Sequence, residues 1–325
     1  MIDLSTTYAG LSLRNPLIVG SSGLTKSAER NLDFEKAGAG AIVLKSLFEE
    51  QIEMQSAHML QTEDYPEAAD YIRSYVKAHQ VQDYLDLIKR TKELCSIPVI
   101  ASINCYKSAA WVDFAKQIEA AGADALELNI FYMNAELEYN SDSDRDLFVG
   151  IVRRIKAAVS IPVIVKIGKL FGNIVSLVHV LKVNGADGIV LFNRFFQPDI
   201  DLNSLQLVSG NVFSSHLDLS DTLRWTAIVS GKVPGISIAS SSGVHDWEDA
   251  VKCLLAGADA VQMCSALYTH GPELISQVLV CLEEWMNQKH FDKVSQIKGL
   301  LNFANISNPL LYERAQFMKY FSDRD

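Results

Sequence analysis

The sequence predicts an α/β protein, a (β/α)8 TIM barrel, on three observations: eight short apolar runs, helical patterns between them, and a glycine-centred turn that recurs before every second run. Strands covered on both faces by helices read as unbroken Val- and Ile-rich segments, and these runs show no polar alternation.

The elements follow in order. Residues 8–15 (YAGLSLRN) read as a small hairpin across the barrel bottom. The eight runs are 16–21 (PLIVGS), 41–46 (AIVLKS), 98–103 (PVIASI), 125–130 (ALELNI), 162–167 (PVIVKI), 188–193 (GIVLFN), 236–241 (ISIASS) and 260–265 (AVQMCS). Helical patterns over 81–94, 109–120, 146–158, 174–183 and 246–255 are long enough to cross back between parallel strands. AGAGA (37–41), AGADA (121–125), NGADG (184–188) and AGADA (256–260) precede the second, fourth, sixth and eighth runs. Gly38, Gly122, Gly185 and Gly257 are therefore expected to end helices in the left-handed conformation. SIPV introduces the third run at 96–99 and the fifth at 160–163, and Val233-Pro234-Gly235 introduces the seventh. Such an even-numbered repeat suits a parallel barrel, which closes around packed side chains at eight strands. A doubly wound open sheet is the competing fold, but no GxGxxG follows the first run. Residues 49–80 form a long polar and aromatic insertion at the end of the barrel where a lid would sit, and 291–325 is a helical tail expected outside the barrel or against a second subunit. The whole chain, 1–325, is read as one domain.

Composition narrows the function classes. With 49% hydrophobic and 21% charged residues the chain is globular, and a net charge of −10 without a Lys/Arg cluster argues against a nucleic-acid partner. The 5 cysteines are odd in number and lack CxxC spacing, which argues against a metal site or disulfide framework and for a reducing cytoplasm. No signal-peptide pattern and no apolar stretch of about 18 residues is present, so no membrane association is expected.

Active sites of such barrels are built at the carboxyl ends of the strands. Those positions hold Ser21, Ser22 and Gly23; Lys45 and Ser46; Asn104; Asn129, Tyr132 and Asn134; Lys166; Asn193 and Arg194; Ser242 and Gly243; and Cys264 and Ser265. The last two strand ends, 240–243 (SSSG) and Cys264-Ser265, make a phosphate-binding candidate where barrels usually hold phosphate, with Asp246 as an N-cap and Asp249 closing a capping box. Serine and glycine also simply make turns. Lys45 and Lys166 must either be paired inside the barrel or point to its mouth, because a buried unpaired ammonium is costly. Three roles stay open for them: a structural ion pair, the Schiff-base lysine of an aldolase, or a cation that stabilises a reduced isoalloxazine ring.

Taken together, NPLIVGSSG (15–23), LKS (44–46), ELNI followed by Asn134, VIVKI (163–167), FN (192–193), SSSGV (240–244) and VQMCSALYTHGP (261–272) resemble the dihydroorotate dehydrogenases, FMN-dependent barrels, from residue 8 to about 288. The resemblance implies FMN as cofactor, lined by Ser21, Ser22, Gly23, Ser46, Asn104 and Asn129. It puts Lys45 between flavin and substrate and Lys166 at the N1/O2 edge. Ser242, Gly243, Cys264 and Ser265 would hold the phosphate; Asn129, Asn134 and Asn193 would face a small-molecule substrate. It further implies hydride transfer between flavin N5 and dihydroorotate or a related small planar acid or enone, in a cytoplasmic homodimer. Where the family has LNxSCPN with Cys or Ser as base, 128–134 reads LNIFYMN, which puts Tyr132 at the base position as proton donor or acceptor, with Lys45 and Lys166 beside it. The family segment NSMGLPN is missing from 49–80, and Arg194 stands where a serine is usual, able to grip a carboxylate or to salt-bridge at the rim. A noncatalytic flavin-binding paralogue is the alternative within the resemblance.

Overall fold

The computed structural model describes residues 2–50, 69–104, 110–130, 137 and 141–314. The chain opens with a hairpin of β1 (Thr6–Tyr8) and β2 (Leu11–Leu13), turned at Ala9 and Gly10, both with positive φ as a two-residue hairpin loop requires. The barrel strands then run β3 (Leu17–Val19), β4 (Ala41–Val43) with a short continuation β5 (Leu47–Phe48), β6 (Val99–Asn104), β7 (Ala125–Asn129), β8 (Val163–Ile167) and β9 (Gly188–Leu191). An antiparallel excursion, β10 (Pro198–Asp201) and β11 (Gln206–Ser209), precedes β12 (Ser237–Ser241) and β13 (Ala260–Met263). All pairings in the barrel wall are parallel, and β4 pairs with both β3 and β6, which closes the ring. The expected eight strands and the hairpin are thus present, within one to three residues of the expected ends. The β10–β11 excursion was not expected from the sequence.

Helices Ala28–Lys36, Ala110–Ala120, Ser141–Lys156, Ile174–Val183, Leu219–Lys232, Trp247–Ala256 and Glu273–Gln288 surround the wall. The helix expected from residue 81 instead starts at Ala69 and runs to Leu94, so the last part of the 49–80 insertion is helix rather than loop; residues 51–68 lie outside the described residues. In the tail, only single turns are helical among the described residues, Val294–Ile297 and Leu310–Glu313. The larger core cluster lies between strands and helices, and a smaller one fills the barrel bottom. That floor takes side chains from all eight strands, Ile18, Ala41 and Val43, Ile100, Ala125, Ile164, Val190, Ala239 and Ala260, and is plugged from below by Tyr8 and Leu13 of the hairpin.

The turn repeat has a physical origin. Asp124, Asp187 and Asp259 each accept a backbone N–H from the start of the preceding strand, from Val99 (2.7 Å), Val163 (2.7 Å) and Ile238 (2.9 Å). Each also receives a lysine: Lys92, Lys156 and Lys298 respectively. One carboxylate thereby ties two neighbouring strands and an outer segment together. The SIPV turns are fixed similarly, since Ser96 and Ser160 donate both N–H and hydroxyl to Glu35 and Glu119. These bonds hold the Glu119 carboxyl below its usual range. Gly38, Gly122, Gly185 and Gly257 all adopt positive φ, as expected.

The first unit departs from the repeat at Gly40, and the structure explains why. Asn15 Oδ1 accepts the Leu17 N–H at 3.0 Å, doing the work of the missing aspartate. A Cβ on Gly40 would lie 2.2 Å from the Asn15 carbonyl oxygen. Restoring the repeat with Gly40→Asp should therefore destabilise the protein by about 1–3 kcal/mol, the usual penalty for overpacking. Urea unfolding checks this, and a midpoint at or above that of the parent would contradict it.

Candidate functional site

Side chains two residues apart on a strand share a face, so the layer above the floor can be read directly. It consists of Gly20, Lys45, Ser102, Glu127, Lys166, Phe192, Ser241 and Gln262, one step up from the floor. An apolar floor thus supports a mostly polar layer. Across its middle, Lys166 Nζ donates to Gln262 Oε1 at 3.0 Å, and Gln262 Nε2 donates to Glu127 Oε2 at 2.8 Å. Glu127 Oε1 stands 3.9 Å from Lys166 Nζ and has no hydrogen-bond donor among the described residues. Glu127 is 0% and Lys166 8% exposed, so each offsets the other's burial; breaking such a pair typically costs about 3–5 kcal/mol.

On the other side of the mouth, β4 stops at Val43 and pairing resumes at Leu47, leaving the Ser102 backbone without a partner on the β4 side. Tyr84, from the outer helix Ala69–Leu94, fills the gap: its hydroxyl accepts the Ser102 N–H at 2.7 Å and donates to the Ser102 carbonyl at 2.9 Å. Burial pushes its phenol above the usual value. Ser46 Oγ lies 2.7 Å from Ser102 Oγ and 3.0 Å from Ser21 Oγ, and its N–H donates to Ser21. This interruption of the wall brings Lys45 to the cavity beside Ser46.

Two adjoining cavities occupy the mouth. The larger, about 350 Å³, is lined by Ser21, Ser22, Gly23, Lys45, Ser46, Asn104 and Asn129, with Glu127 also on its lining. The smaller, about 150 Å³, is lined by Ser242, Gly243, Cys264 and Ser265. Ser21, Lys166, Asn193 and Arg194 line both, which joins the two. The strand-end residues singled out in the sequence therefore meet in one place, except that Tyr132 and Asn134 lie outside the described residues. A larger groove of about 630 Å³ lies on the barrel's outside, bordered by Asn173, His179, Trp225 and Lys232. None of the strand-end candidates borders it, and the strand-end rule favours the mouth.

Within the mouth, Asn193 Nδ2 donates to Asn129 Oδ1 at 2.7 Å, which orients the pair. Arg194 is already engaged: Nη1 donates to the carbonyls of Asn211 (2.6 Å) and Val212 (2.7 Å), and Nε is 3.9 Å from Asp218. It staples the segment after β11 over the smaller cavity. Burial pushes the Cys264 thiol up, against the opposing pull of a Ser22 hydrogen bond and of Lys166, so Cys264 is held as a neutral thiol.

The smaller cavity rests on an unusual turn. Ser242 and Gly243 have φ of 81° and 83°, conformations that a serine adopts only when held. Thr222 Oγ1 donates to the Ser241 and Ser242 carbonyls, and Ser242 Oγ donates to the Phe192 carbonyl. Neither the Gly243 nor the Val244 N–H is taken by an acceptor among the described residues, which leaves both for an anion. Above the turn, the Ser214 N–H donates to Ser265 Oγ, and Ser214 Oγ is 3.1 Å from His245 Nε2. Asp246 caps the next helix as expected, but Asp249 does not return to the Asp246 N–H; its Oδ2 accepts the His245 N–H at 3.1 Å and sits 2.6 Å from His216 Nδ1. Burial, and then the adjacent His216 ring, lower the His245 pKa.

Glu127, Gln262, Tyr84 and Ser214 escaped the sequence reading. For the first two a signal exists, a polar residue on the inward register of an otherwise apolar strand. For Tyr84 and Ser214 there is none, since their partners are remote in sequence.

Similarity searches agree with this geometry. Residues 3–286 match the family model described as dihydroorotate dehydrogenase. The catalytic subunit of dihydroorotate dehydrogenase B (NAD(+)) from Thermoplasma acidophilum is 29% identical over 92% of this chain and 99% of its own length. A putative dihydroorotate dehydrogenase A (fumarate) from Aeropyrum pernix is 29% identical over 93% of this chain and 98% of its own. The NAD-dependent dihydropyrimidine dehydrogenase subunit PreA of Escherichia coli (strain K12) is 24% identical over 92% and 77%.

Two expected outcomes follow from the turn. In Gly243→Ala, the added Cβ would fall 2.2 Å from the Leu219 backbone nitrogen, so stability drops and segment 210–218 becomes susceptible to limited proteolysis; unchanged cleavage would contradict this. For His245, a lowered folded-state pKa means that below about pH 6.5 the unfolded chain binds the proton more readily, and folding stability falls with pH. The loss of melting temperature between about pH 7.5 and about pH 5.5 should be smaller in His245→Gln than in the parent.

Proposed function

Since the chain belongs to the dihydroorotate dehydrogenase family, oxidoreductases acting on CH–CH bonds, we propose that it binds FMN in the joined cavities and oxidises or reduces a small planar acid or enone, with dihydroorotate as the first candidate. The observation that carries this reading is the continuity of the mouth: an ammonium at the junction and a serine-glycine turn with free N–H groups at one end match the two ends of a flavin mononucleotide.

Bound there, FMN would supply a two-electron couple that exchanges hydride with the substrate, with negative charge at one ring edge in the reduced form. Lys166 faces that edge with an ammonium that spends one hydrogen bond on Gln262. The Lys166 ammonium lies 3.9 Å from the Glu127 carboxylate. Ser21, Ser22, Gly23, Ser46 and Asn104 line the ring, and Lys45 stands between ring and substrate. Ser242, Gly243, Cys264 and Ser265 take the phosphate. Asn129 and Asn193, held to each other, present amides to the substrate together with Asn134, while Arg194 secures the covering segment. Tyr132 gives or takes the substrate proton.

The relatives are named for different reactions, with NAD(+), fumarate or a dihydropyrimidine in their names, so substrate and acceptor follow from this chain's own mouth. A homodimer completes the proposal: the β10–β11 hairpin exposes Ile200 and Leu207 on its strands and Leu202 and Leu205 in its turn, and among the described residues neither strand pairs with another.

Purified protein should be yellow, with flavin absorbance between about 350 and 500 nm, release FMN on denaturation, and bleach anaerobically with dihydroorotate, a dihydropyrimidine or another reduced member of this substrate class. Lys166→Met should lose most of the bound FMN. Tyr132→Phe should keep the colour and lower the bleaching rate by about 10²-fold or more. Colourless protein that ignores added FMN would sink the cofactor assignment, and normal bleaching by Tyr132→Phe would sink the role of Tyr132.

A further inference from the structure

We propose that Glu127 is a positioning residue that lowers the reduction potential of the flavin: through Gln262 it fixes the Lys166 ammonium, and its own charge cancels part of the positive field that Lys166 presents to the mouth. The inference rests on the flavin reading above and concerns a residue to which that reading gives no task.

The geometry separates this arrangement from an ordinary buried ion pair. In a pair that serves only stability, carboxylate and ammonium meet directly, because the desolvation of both is then best repaid. Here an amide stands between them. Gln262 takes the 2.8 Å contact with Glu127 and offers its carbonyl to Lys166 at 3.0 Å, while the carboxylate stays 3.9 Å from Nζ. The ammonium is thereby set towards the cavity, with two of its three donors left for a ligand. Glu127 keeps one oxygen without a donor inside the barrel, at 0% exposure, so its charge is little screened and acts on whatever lies within a few ångströms. Tyr8, in the layer below, registers the same field: its phenol is pushed far up, first by burial and then by Glu127.

The consequence for a flavin follows from charge balance. Reduction by two electrons and one proton adds one negative charge to the ring edge, and an ammonium there favours the reduced form. A carboxylate directly behind the ammonium opposes that charge, so the oxidised form is favoured relative to the same site without Glu127. Two substitutions should then move the potential in opposite directions. Glu127→Gln keeps size and a hydrogen-bonding oxygen but removes the charge, which leaves Lys166 uncompensated. Gln262→Met removes the spacer, which lets Lys166 draw back onto Glu127 and away from the ring.

The test is the midpoint potential of bound FMN, together with fluorescence titration of FMN onto the flavin-free protein, in the parent and both variants. Glu127→Gln should bind reduced FMN relative to oxidised FMN about tenfold more tightly than the parent does, an upward shift of about 30 mV for a two-electron couple. Gln262→Met should shift the potential downward and weaken FMN binding. A purely structural role would lower the melting temperature in both and leave the potentials together. If Glu127→Gln does not fold, the direction in Gln262→Met decides. A yellow parent whose potential neither variant changes, or an upward shift in Gln262→Met, refutes the inference alone. A parent that binds no FMN refutes the flavin reading and this inference with it.

Discussion

A lysine ammonium inside a barrel is the constraint from which the site follows. Lys166 is largely buried, so a compensating carboxylate comes from another strand, and here Glu127 on β7 supplies it while Gln262 on β13 spans the gap. Three strands are thereby tied across the barrel interior by polar contacts rather than by packing. The floor beneath must be apolar and tightly filled to keep water from this trio, and the hairpin plug with Tyr8 and Leu13 completes that seal. Above it, the same charges border the mouth. Stability and function thus meet in one layer of side chains.

The division of labour along the barrel axis is consistent with this. At the bottom, aspartates of the repeated turn each join two strands and a lysine, and glutamates clip the SIPV turns. At the top, strands end early or are interrupted, and side chains such as Tyr84 and Thr222 replace the missing backbone partners. A rigid lower half can carry an irregular upper half, which is why the strained Ser242–Gly243 turn persists. The segment over the smaller cavity is held by Arg194, Ser214 and the His216–Asp249 contact, together with packing of the Phe213 ring on Tyr268.

Most of the fold was legible because its signals are local. Eight apolar runs and four glycine turns report backbone conformations that the residues themselves impose. The strand-end polar residues were legible for the same reason, once the rule that barrels act at that end is applied. Glu127 and Gln262 were not noticed, although Ala125, Glu127 and Asn129 share one face of β7 and a glutamate between two inward residues has nowhere to go but inside. The helix starting at Ala69 was hidden by the polarity of its first turns. The β10–β11 hairpin was hidden because its strands are short and exposed, so no buried face gives them a period. Arg194 could be read either as a carboxylate clamp or as a rim residue; its actual partners are backbone carbonyls, which no side-chain pattern announces.

The most direct test of the account is a crystal structure of the protein grown with FMN. The account predicts the phosphate on the Gly243 and Val244 N–H groups and the ring's N1/O2 edge within hydrogen-bonding distance of Lys166 Nζ, with Gln262 still between Lys166 and Glu127. FMN bound in the outer groove beside Trp225, or a mouth in which Lys166 has turned away from the ring to pair with Glu127 alone, would contradict it.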